Sequence, residues 1–280
     1  MDNRPIGFFD SGLGGLTCIP YLLQKFPDER IVYFGDTART PYGSKAPSTI
    51  RKFASEIAKF LIETQDIKLL AIACNTVSAI ALTELQERHP NVPVLGIISP
   101  AAKAAADACT AANRIGVIGT KATIASGAYT KEILAHKPDL SVFGQACPAF
   151  VPLIEEGIIQ NNIMDLTIKY YLDHFLDYNK IDTLVLGCTH YPLIRENIER
   201  LFPDLRIIDP SAEMLPSIAA ELNGHNLVAE DERHDHVFYA SDLSENFVNM
   251  INLIFSGTDY QVTFKTFDLE NFLERKEEVK

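Results

Sequence analysis

The sequence contains no apolar run that approaches the roughly 18 residues of a membrane-spanning helix. No signal peptide is expected, because the apolar segment of residues 6–9 is short and ends at Asp10. Lysine and arginine form no cluster, and the formal net charge of −12 disfavours a surface for nucleic acid. We therefore expect a cytoplasmic protein of 280 residues that binds neither membranes nor nucleic acids.

Cysteine is scarce, and no two of the five cysteines form a C-x-x-C pair. The lack of that pair disfavours zinc ribbons and thioredoxin-like redox sites. An odd number of cysteines without a secretion signal also disfavours a disulfide framework. Three are expected to be buried structural residues, namely Cys18, Cys109 and Cys147. The other two, Cys74 and Cys188, are candidates for reactive thiols.

Short apolar segments alternate with longer helical patterns along the chain. The predicted strands are residues 6–9, 30–34, 68–73, 92–97, 114–118, 141–145, 183–187, 206–208 and 237–240. The predicted helices lie near 15–26, 47–64, 77–88, 100–110, 123–136, 150–155, 162–178, 192–201 and 243–255. Strands that are apolar on both faces and separated by helices indicate parallel sheets covered by helices. The predicted fold class is therefore α/β.

Two segments of the first half are echoed in the second half, in the same order. The matching segments are 3–11 with 113–120, where one residue is skipped, and 69–76 with 183–190. Buried parallel strands resemble one another in their apolar residues, so those residues alone do not establish a repeat. However, Cys74 and Cys188 occupy the same place in the second pair. We predict two similar α/β units with a boundary near 97–113.

The two echoed cysteines each follow a predicted strand, where a helix is about to begin. Ligands of open parallel sheets bind at this end of the strands. The N-terminus of a helix also lowers a thiol pKa below its ordinary value of about 8.5. The residues that follow are polar: Asn75, Thr76, Thr189 and His190. A ligand site is therefore favoured over the alternative of two buried structural cysteines.

A glycine-rich turn after the first predicted strand has two interpretations. Gly12 and Gly14 fit the start of a dinucleotide fingerprint, and Asp36 stands near the distance of its ribose-binding carboxylate. However, Thr17 occupies the position of the third glycine, and Asp10 places a carboxylate where pyrophosphate would approach. A nucleotide-dependent oxidoreductase is thus the less favoured alternative to a turn that approaches another ligand closely.

Three other segments carry polar residues of interest. The turn Pro41-Tyr42-Gly43 has backbone amides that could bind a carboxylate. Glu155 and Glu156 follow an apolar stretch, where acidic residues are usually solvated. The segment 234–236, with two histidines and an aspartate, lacks a third ligand nearby and is expected to be a surface loop. We expect no metal site.

Four motifs together resemble the glutamate racemases, a family of the aspartate/glutamate racemase superfamily. They are residues 9–16, residues 35–36 with 41–43, residues 73–76 and residues 187–192, in the family's order and spacing. The resemblance extends from about residue 5 to residue 255. It implies two similar domains related by pseudo-twofold symmetry, an active site between them, and no cofactor. It also implies that the C-terminal segment returns to the first domain, which gives domains of 1–97 plus 210–280 and of 98–209.

The resemblance also implies roles for individual residues. Cys74 and Cys188 match the catalytic pair, with Cys74 acting on the D-isomer and Cys188 on the L-isomer. Asp10, Glu155 and His190 match assisting residues, of which Glu155 lies in the least specific motif. The expected substrate contacts are Asp10, Ser11, Pro41, Tyr42, Gly43, Asn75, Thr76, Thr120, Thr189 and His190.

The implied activity is the interconversion of L- and D-glutamate, which supplies D-glutamate for peptidoglycan. Racemisation requires removal of a proton from one face of the α-carbon and delivery to the other, and two opposed thiols suit this chemistry. The alternatives are an aspartate or related racemase and a nonenzymatic amino-acid-binding or regulatory protein. Paired thiols argue against the latter. We expect a homodimer.

Overall fold

The computed structural model describes residues 1–109, 114–230, 236–255 and 262–267, and its strands form two parallel sheets. The first sheet has the order β10-β9-β2-β1-β3-β4 and the second has the order β6-β5-β7-β8. The strands of the first sheet are β1 Ile6–Asp10, β2 Ile31–Gly35, β3 Leu69–Ile72, β4 Val94–Gly96, β9 His236–Ala240 and β10 Val262–Thr266. Those of the second are β5 Arg114–Gly119, β6 Ser141–Ala146, β7 Thr183–Gly187 and β8 Arg206–Ile208.

Helices connect the strands and cover the sheets, as connections between parallel strands require. They are α1 Cys18–Lys25, α2 Pro47–Thr64, α3 Asn75–Arg88, α4 Ile98–Ala108, α5 Lys121–Ser126, α6 Ala128–His136, α7 Phe150–Glu155, α8 Asn162–Asn179, α9 Arg195–Leu201, α10 Pro210–Gly224 and α11 Glu245–Ile254. The central strands β1, β3 and β7 are entirely buried, which explains why they are apolar on both faces. The predicted α/β class is confirmed.

The two sheets repeat one strand order. In the first sheet β1 lies between β2 and β3, and in the second β5 lies between β6 and β7. The equivalent strands are therefore β1 with β5 and β3 with β7, the pairs that the echoed segments predict. The C-terminal strands β9 and β10 extend the first sheet. We call the two sheets with their helices the first and second lobes; the exact domain boundaries stay a prediction.

Three local features differ from the predicted elements. The predicted helix of 123–136 is divided into α5 and α6 at Gly127, whose φ of +67° no regular helix contains. Helix α10 was not predicted, because two prolines interrupt its pattern; one lies in its first turn, where proline is tolerated. Strand β10 was not predicted either, because its side chains are partly exposed and its sequence contains no continuous apolar run.

The prediction that residues 234–236 form a surface loop is wrong for His236. This residue begins β9, is fully buried, and its Nδ1 accepts a hydrogen bond from the backbone N–H of Ile31 at 3.3 Å. His234 and Asp235 lie outside the described residues. Within the part of the chain that the structure describes, no helix is long and apolar enough to cross a membrane.

A buried ion pair holds the chain where it returns from the second lobe to the first. Lys68 Nζ lies 2.7 Å from Glu29 Oε2, and both side chains are fully buried or nearly so. The same ammonium group donates hydrogen bonds of 2.6 Å to the carbonyls of Asp2 and Leu227. Glu29 in turn accepts from the backbone N–H of Ala229 at 2.9 Å. The pair therefore joins the N-terminus, the first sheet and the returning segment.

Candidate active site

The two echoed cysteines meet in one cavity between the lobes. Cys74 follows β3 and directly precedes α3, and Cys188 follows β7. After Cys188 the chain forms a short 3-10 helix, Tyr191–Ile194, before α9, so the predicted helix start is correct only for Cys74. Both cysteines are buried and line a cavity of about 20 Å³, space for about one water molecule. The cleft is therefore closed.

Most of the predicted contact residues line this cavity. Its lining consists of Ser11, Thr40, Pro41, Tyr42, Gly43, Cys74, Asn75, Thr76, Thr120, Val151, Cys188, Thr189 and His190. Thr40 and Val151 were not predicted. Thr40 directly precedes the predicted contacts at 41–43, whereas Val151 belongs to α7, an apolar helix whose sequence does not indicate a ligand site. Asp10 lies behind the lining and contacts Thr189, and Glu155 contacts His190.

Glycines allow the two lobes to approach each other at the cavity. A Cβ atom on Gly14 would lie 2.4 Å from Thr189 Oγ1 and 2.6 Å from the backbone carbonyl carbon of Thr189. A Cβ atom on Gly43 would lie 2.4 Å from Thr120 Cβ. Real side chains do not tolerate such distances, so both positions require glycine. The glycine-rich turn thus serves contact between the lobes, which accounts for its pattern without a nucleotide.

We predict that Gly14→Ala lowers the turnover of the reaction expected at this site by about 10- to 100-fold, because the added methyl group displaces Thr189 and the adjacent Cys188. Steady-state kinetics in both directions would measure this loss. Gly224→Ala is the matched control, since a Cβ atom at that position meets nothing within 4 Å. Equal kinetics for Gly14→Ala and the wild type would contradict this account of the interface.

Cys188 lies beside a histidine that is itself bonded to a carboxylate. His190 Nδ1 lies 3.9 Å from Cys188 Sγ, and His190 Nε2 lies 3.1 Å from Glu155 Oε1. Burial alone would lower the pKa of His190, but its hydrogen bonds and the charges of Cys188 and Glu155 outweigh burial and raise the pKa to about 10. The imidazolium form of His190 therefore lies between the Glu155 carboxylate and the sulfur of Cys188.

The raised pKa of His190 predicts how stability depends on pH. Protonated His190 stabilises the folded state fully below its ordinary pKa of 6.5, and this contribution is lost as the pH rises to about 10. Over that range the free energy of unfolding should fall by up to about 1.4 kcal/mol per pH unit. Urea denaturation of the wild type and His190→Gln should therefore give stabilities that converge between these pH values. Parallel curves would contradict the assigned pKa.

The surroundings of Cys74 favour the protonated thiol, contrary to the expected lowering of its pKa. Burial, followed by the negative charge of Asp10, raises the pKa of Cys74 to about 12. Backbone amides of Val77, at the start of α3, and Ser11 act in the predicted direction but are weaker. The thiol donates a hydrogen bond of 3.3 Å to Ser11 Oγ. The two sulfurs thus have opposite electrostatic environments.

Asp10 is held in place by both lobes. It is fully buried, and it accepts hydrogen bonds from the backbone N–H of Gly12 at 3.1 Å and from Thr189 Oγ1 at 3.3 Å. Burial raises the pKa of this carboxyl, while the charge of His190 opposes the rise. Asp10 therefore links the environment of Cys74 with that of Cys188.

Polar side chains of α3 face the second lobe. Asn75 Oδ1 accepts a hydrogen bond of 2.6 Å from the Tyr129 hydroxyl, and Thr76 Oγ1 lies within 3.2 Å of the hydroxyls of Thr120 and Thr123. The buried Asn75 Nδ2 has no acceptor among the described residues. A buried donor without a partner is costly, and this one belongs to a residue of the cavity lining, so it is suited to an oxygen of a bound ligand.

The residues that line this cavity include neither a metal-binding cluster nor Asp36, the candidate ribose ligand. Within the described ranges, no group of three His, Cys, Asp or Glu side chains is arranged to hold a metal ion. Asp36 is fully buried, and its carboxylate bonds to Tyr42, Arg39 and Ser241 rather than facing a ligand. Of the structural cysteines, Cys18 and Cys147 are buried as expected, whereas Cys109 is only partly buried.

The fold and the site define a two-lobed α/β protein in which one thiol from each lobe faces a closed cavity. A model of the Asp/Glu/hydantoin racemase family matches residues 17–216.

Among individual proteins, the chain is 44% identical over 259 residues to a glutamate racemase of Geobacter metallireducens, covering 92% of this chain and 94% of the relative. It is 47% identical over 261 residues to one of Chlorobaculum tepidum, with the same coverage of both chains. The crystal structure of a Francisella tularensis glutamate racemase with D-glutamate superposes with a TM-score of 0.89 at 40% identity, covering 97% of this chain and 100% of that one. The chain therefore belongs to the Asp/Glu/hydantoin racemase family and, within it, to the glutamate racemases.

Proposed function

We propose that this protein interconverts L-glutamate and D-glutamate without a cofactor, with Cys74 and Cys188 as opposed acid and base. The observation that carries the proposal is that two cysteines, each following the equivalent strand of its lobe, line one closed cavity. Glutamate is the substrate of the relatives by name, and the Francisella tularensis protein binds D-glutamate. The product D-glutamate would serve peptidoglycan synthesis in the cytoplasm.

The unequal surroundings of the two sulfurs set their starting states in this proposal. Cys188 begins as the thiolate, paired with the imidazolium of His190, and Cys74 begins as the thiol that donates to Ser11. With L-glutamate, Cys188 removes the α-proton from one face while Cys74 delivers its own proton to the other. The sulfurs then hold exchanged protonation states, from which D-glutamate reacts in the reverse direction.

The carbanion that develops at the α-carbon needs stabilisation by the site itself. Among the residues that line the cavity there is neither lysine nor arginine. The substrate carboxylates therefore bind to backbone amides, to hydroxyls such as those of Thr76 and Thr189, and to the available amide of Asn75. These fixed dipoles act strongly because the closed cleft excludes water.

The lobes must separate to admit the substrate, since the cavity has a volume of only about 20 Å³. Around the cavity the lobes meet at close glycine contacts and at polar contacts such as that of Asp10 with Thr189, whereas away from the cavity α10 packs on α4. Closure around glutamate would then bring the two sulfurs to opposite faces of the α-carbon.

A circular-dichroism assay of the purified protein, with L- or D-glutamate and no added cofactor, tests this function. The optical signal should decay to zero from either isomer, and in deuterated water the α-proton should be replaced by deuterium. Aspartate, assayed in the same way, distinguishes an aspartate racemase. Binding of glutamate without any decay of the signal would indicate a nonenzymatic binding protein and refute the proposal.

The expected homodimer stays a prediction. Light scattering of the purified protein with and without glutamate should give twice the chain mass of 31.1 kDa. A monomeric mass at the concentrations of the assay would contradict it.

A further inference from the structure

A carboxylate outside the cavity lining connects the site to the rest of the first lobe. Asp36 directly follows β2 and is fully buried, and its backbone N–H donates to the Asp10 carbonyl at 3.1 Å. The sequence indicates Asp36 as a candidate nucleotide ligand and as part of the motif of residues 35–36 with 41–43, without a role of its own in the site. Its actual partners lie on the loop that ends in Pro41, Tyr42 and Gly43, which line the cavity.

One oxygen of this carboxylate organises the loop. Asp36 Oδ2 accepts a hydrogen bond from the Tyr42 hydroxyl and another, of 2.7 Å, from Arg39 Nε. Arg39 also bonds to Glu56 of α2 at 2.7 Å, and its guanidinium lies 3.9 Å from the centre of the Phe53 ring. Two side chains of the loop thus converge on one buried oxygen, which fixes the backbone between them.

The other oxygen ties the loop to the C-terminal segment. Asp36 Oδ1 accepts from Ser241 Oγ at 2.8 Å, and the same hydroxyl accepts from the backbone N–H of Ala38 at 2.9 Å. Next to it, the Thr37 hydroxyl donates to the Asp242 carbonyl at 2.6 Å and accepts from the Asp242 N–H at 2.8 Å. Residues more than two hundred positions apart thereby hold one end of the loop.

We propose that Asp36 is the positioning residue of the substrate loop, the loop that ends in Pro41, Tyr42 and Gly43. The two carboxylate oxygens of Asp36 hold Tyr42 and Gly43 against the second lobe, because one oxygen bonds to the loop itself and the other bonds to Ser241. This inference rests on the proposed function for its kinetic consequence. Asp36 touches no reacting atom; it acts through the loop, whose backbone amides bind a carboxylate of the substrate.

The proposal predicts a specific kinetic change for Asp36→Asn, which keeps the size of the side chain and removes its charge. The loop binds the substrate in the ground state and in the transition state alike, so loosening it should raise KM about 10- to 100-fold. The value of kcat should change several times less than KM. Amide hydrogen exchange gives a second readout that needs no activity: the Lys45 N–H, bonded to the Tyr42 carbonyl at 3.0 Å, should exchange at least about 10-fold faster.

Asp209→Asn is the matched control for general loss of stability. Asp209 is also a buried carboxylate directly after a strand, where its Oδ1 accepts from the Ser211 N–H at 2.9 Å, but it lies outside the cavity lining. The Asp209→Asn substitution should lower the melting temperature without raising KM or the exchange rate of the Lys45 N–H. If Asp36→Asn does not fold, Tyr42→Phe removes only the hydroxyl that bonds to Asp36, and should raise the same exchange rate.

The outcomes separate the two proposals. Faster exchange at Lys45 together with a raised KM supports the positioning role. Unchanged exchange, a fall in kcat without a change in KM, or the same effects in Asp209→Asn would overturn it. If the wild type does not racemise glutamate, the proposed function fails, and the exchange measurement alone decides whether Asp36 holds the loop.

Discussion

Replacing Cys188 with alanine should reduce racemisation in both directions by about a thousandfold or more. Each turnover requires one thiolate to remove the α-proton and one thiol on the opposite face to deliver another, so a single sulfur cannot complete it. Cys74→Ala should have the same effect. Circular dichroism with each isomer of glutamate measures both losses.

The two variants should differ on a substrate that needs only one base. A glutamate analogue with a leaving group on Cβ requires removal of the α-proton, after which the leaving group departs with its bonding electrons. Cys188→Ala should retain this elimination with the D-analogue through Cys74, and Cys74→Ala should retain it with the L-analogue through Cys188. Release of the leaving group is the measurement, and it distinguishes a missing base from a collapsed site.

Cys18→Ala serves as the control for both variants. Cys18 is buried as deeply as Cys74, but it lies at the start of α1, outside the cavity lining. Its removal should leave racemisation within a few-fold of the wild type. Full two-way racemisation by Cys188→Ala would refute the two-base mechanism.

Replacing Lys68 with methionine should destabilise the protein by about 3–5 kcal/mol, because it leaves the carboxylate of Glu29 buried without its charge partner. It also removes the donor to the Asp2 and Leu227 carbonyls, so the returning segment loses its anchor. Urea denaturation at neutral pH measures the change in the free energy of unfolding.

An exposed ion pair and a double variant test the interpretation. Lys103→Met removes the partner of Asp107 on the surface of α4 and should change stability far less than Lys68→Met does. Lys68→Met combined with Glu29→Leu should be more stable than Lys68→Met alone, because no unpaired charge stays buried. Equal losses for Lys68→Met and Lys103→Met would contradict the burial of the charge as the cause.

Local patterns explain why much of the site was predictable. Each strand of a covered parallel sheet is a short apolar run, and ligands bind where such strands end. Cys74 and Cys188 could therefore be placed at the site from their positions after the repeated strands, and the motifs around them indicated the family. The polar residues that follow each cysteine line the same cavity.

Other features depend on atoms that are distant in sequence. The missed helix α10 begins at a cap, Asp209, followed by Pro210, and a second proline, Pro216, lies inside it. Its stability comes from packing on α4 and α1 rather than from its own periodicity. The bond between Asp36 and Ser241 could not be predicted from the sequence, because the two residues are more than two hundred positions apart.

The sequence by itself determined the α/β class, the repeat of two similar units and the identity of the two thiols, because these follow from short-range apolar periodicity and from residue type. Only the tertiary structure decided the electrostatic surroundings of the thiols. Burial and the charge of Asp10 raise the pKa of Cys74, whereas His190 and Glu155 surround Cys188. Desolvation and Coulomb interactions depend on distances in space, which no local pattern contains.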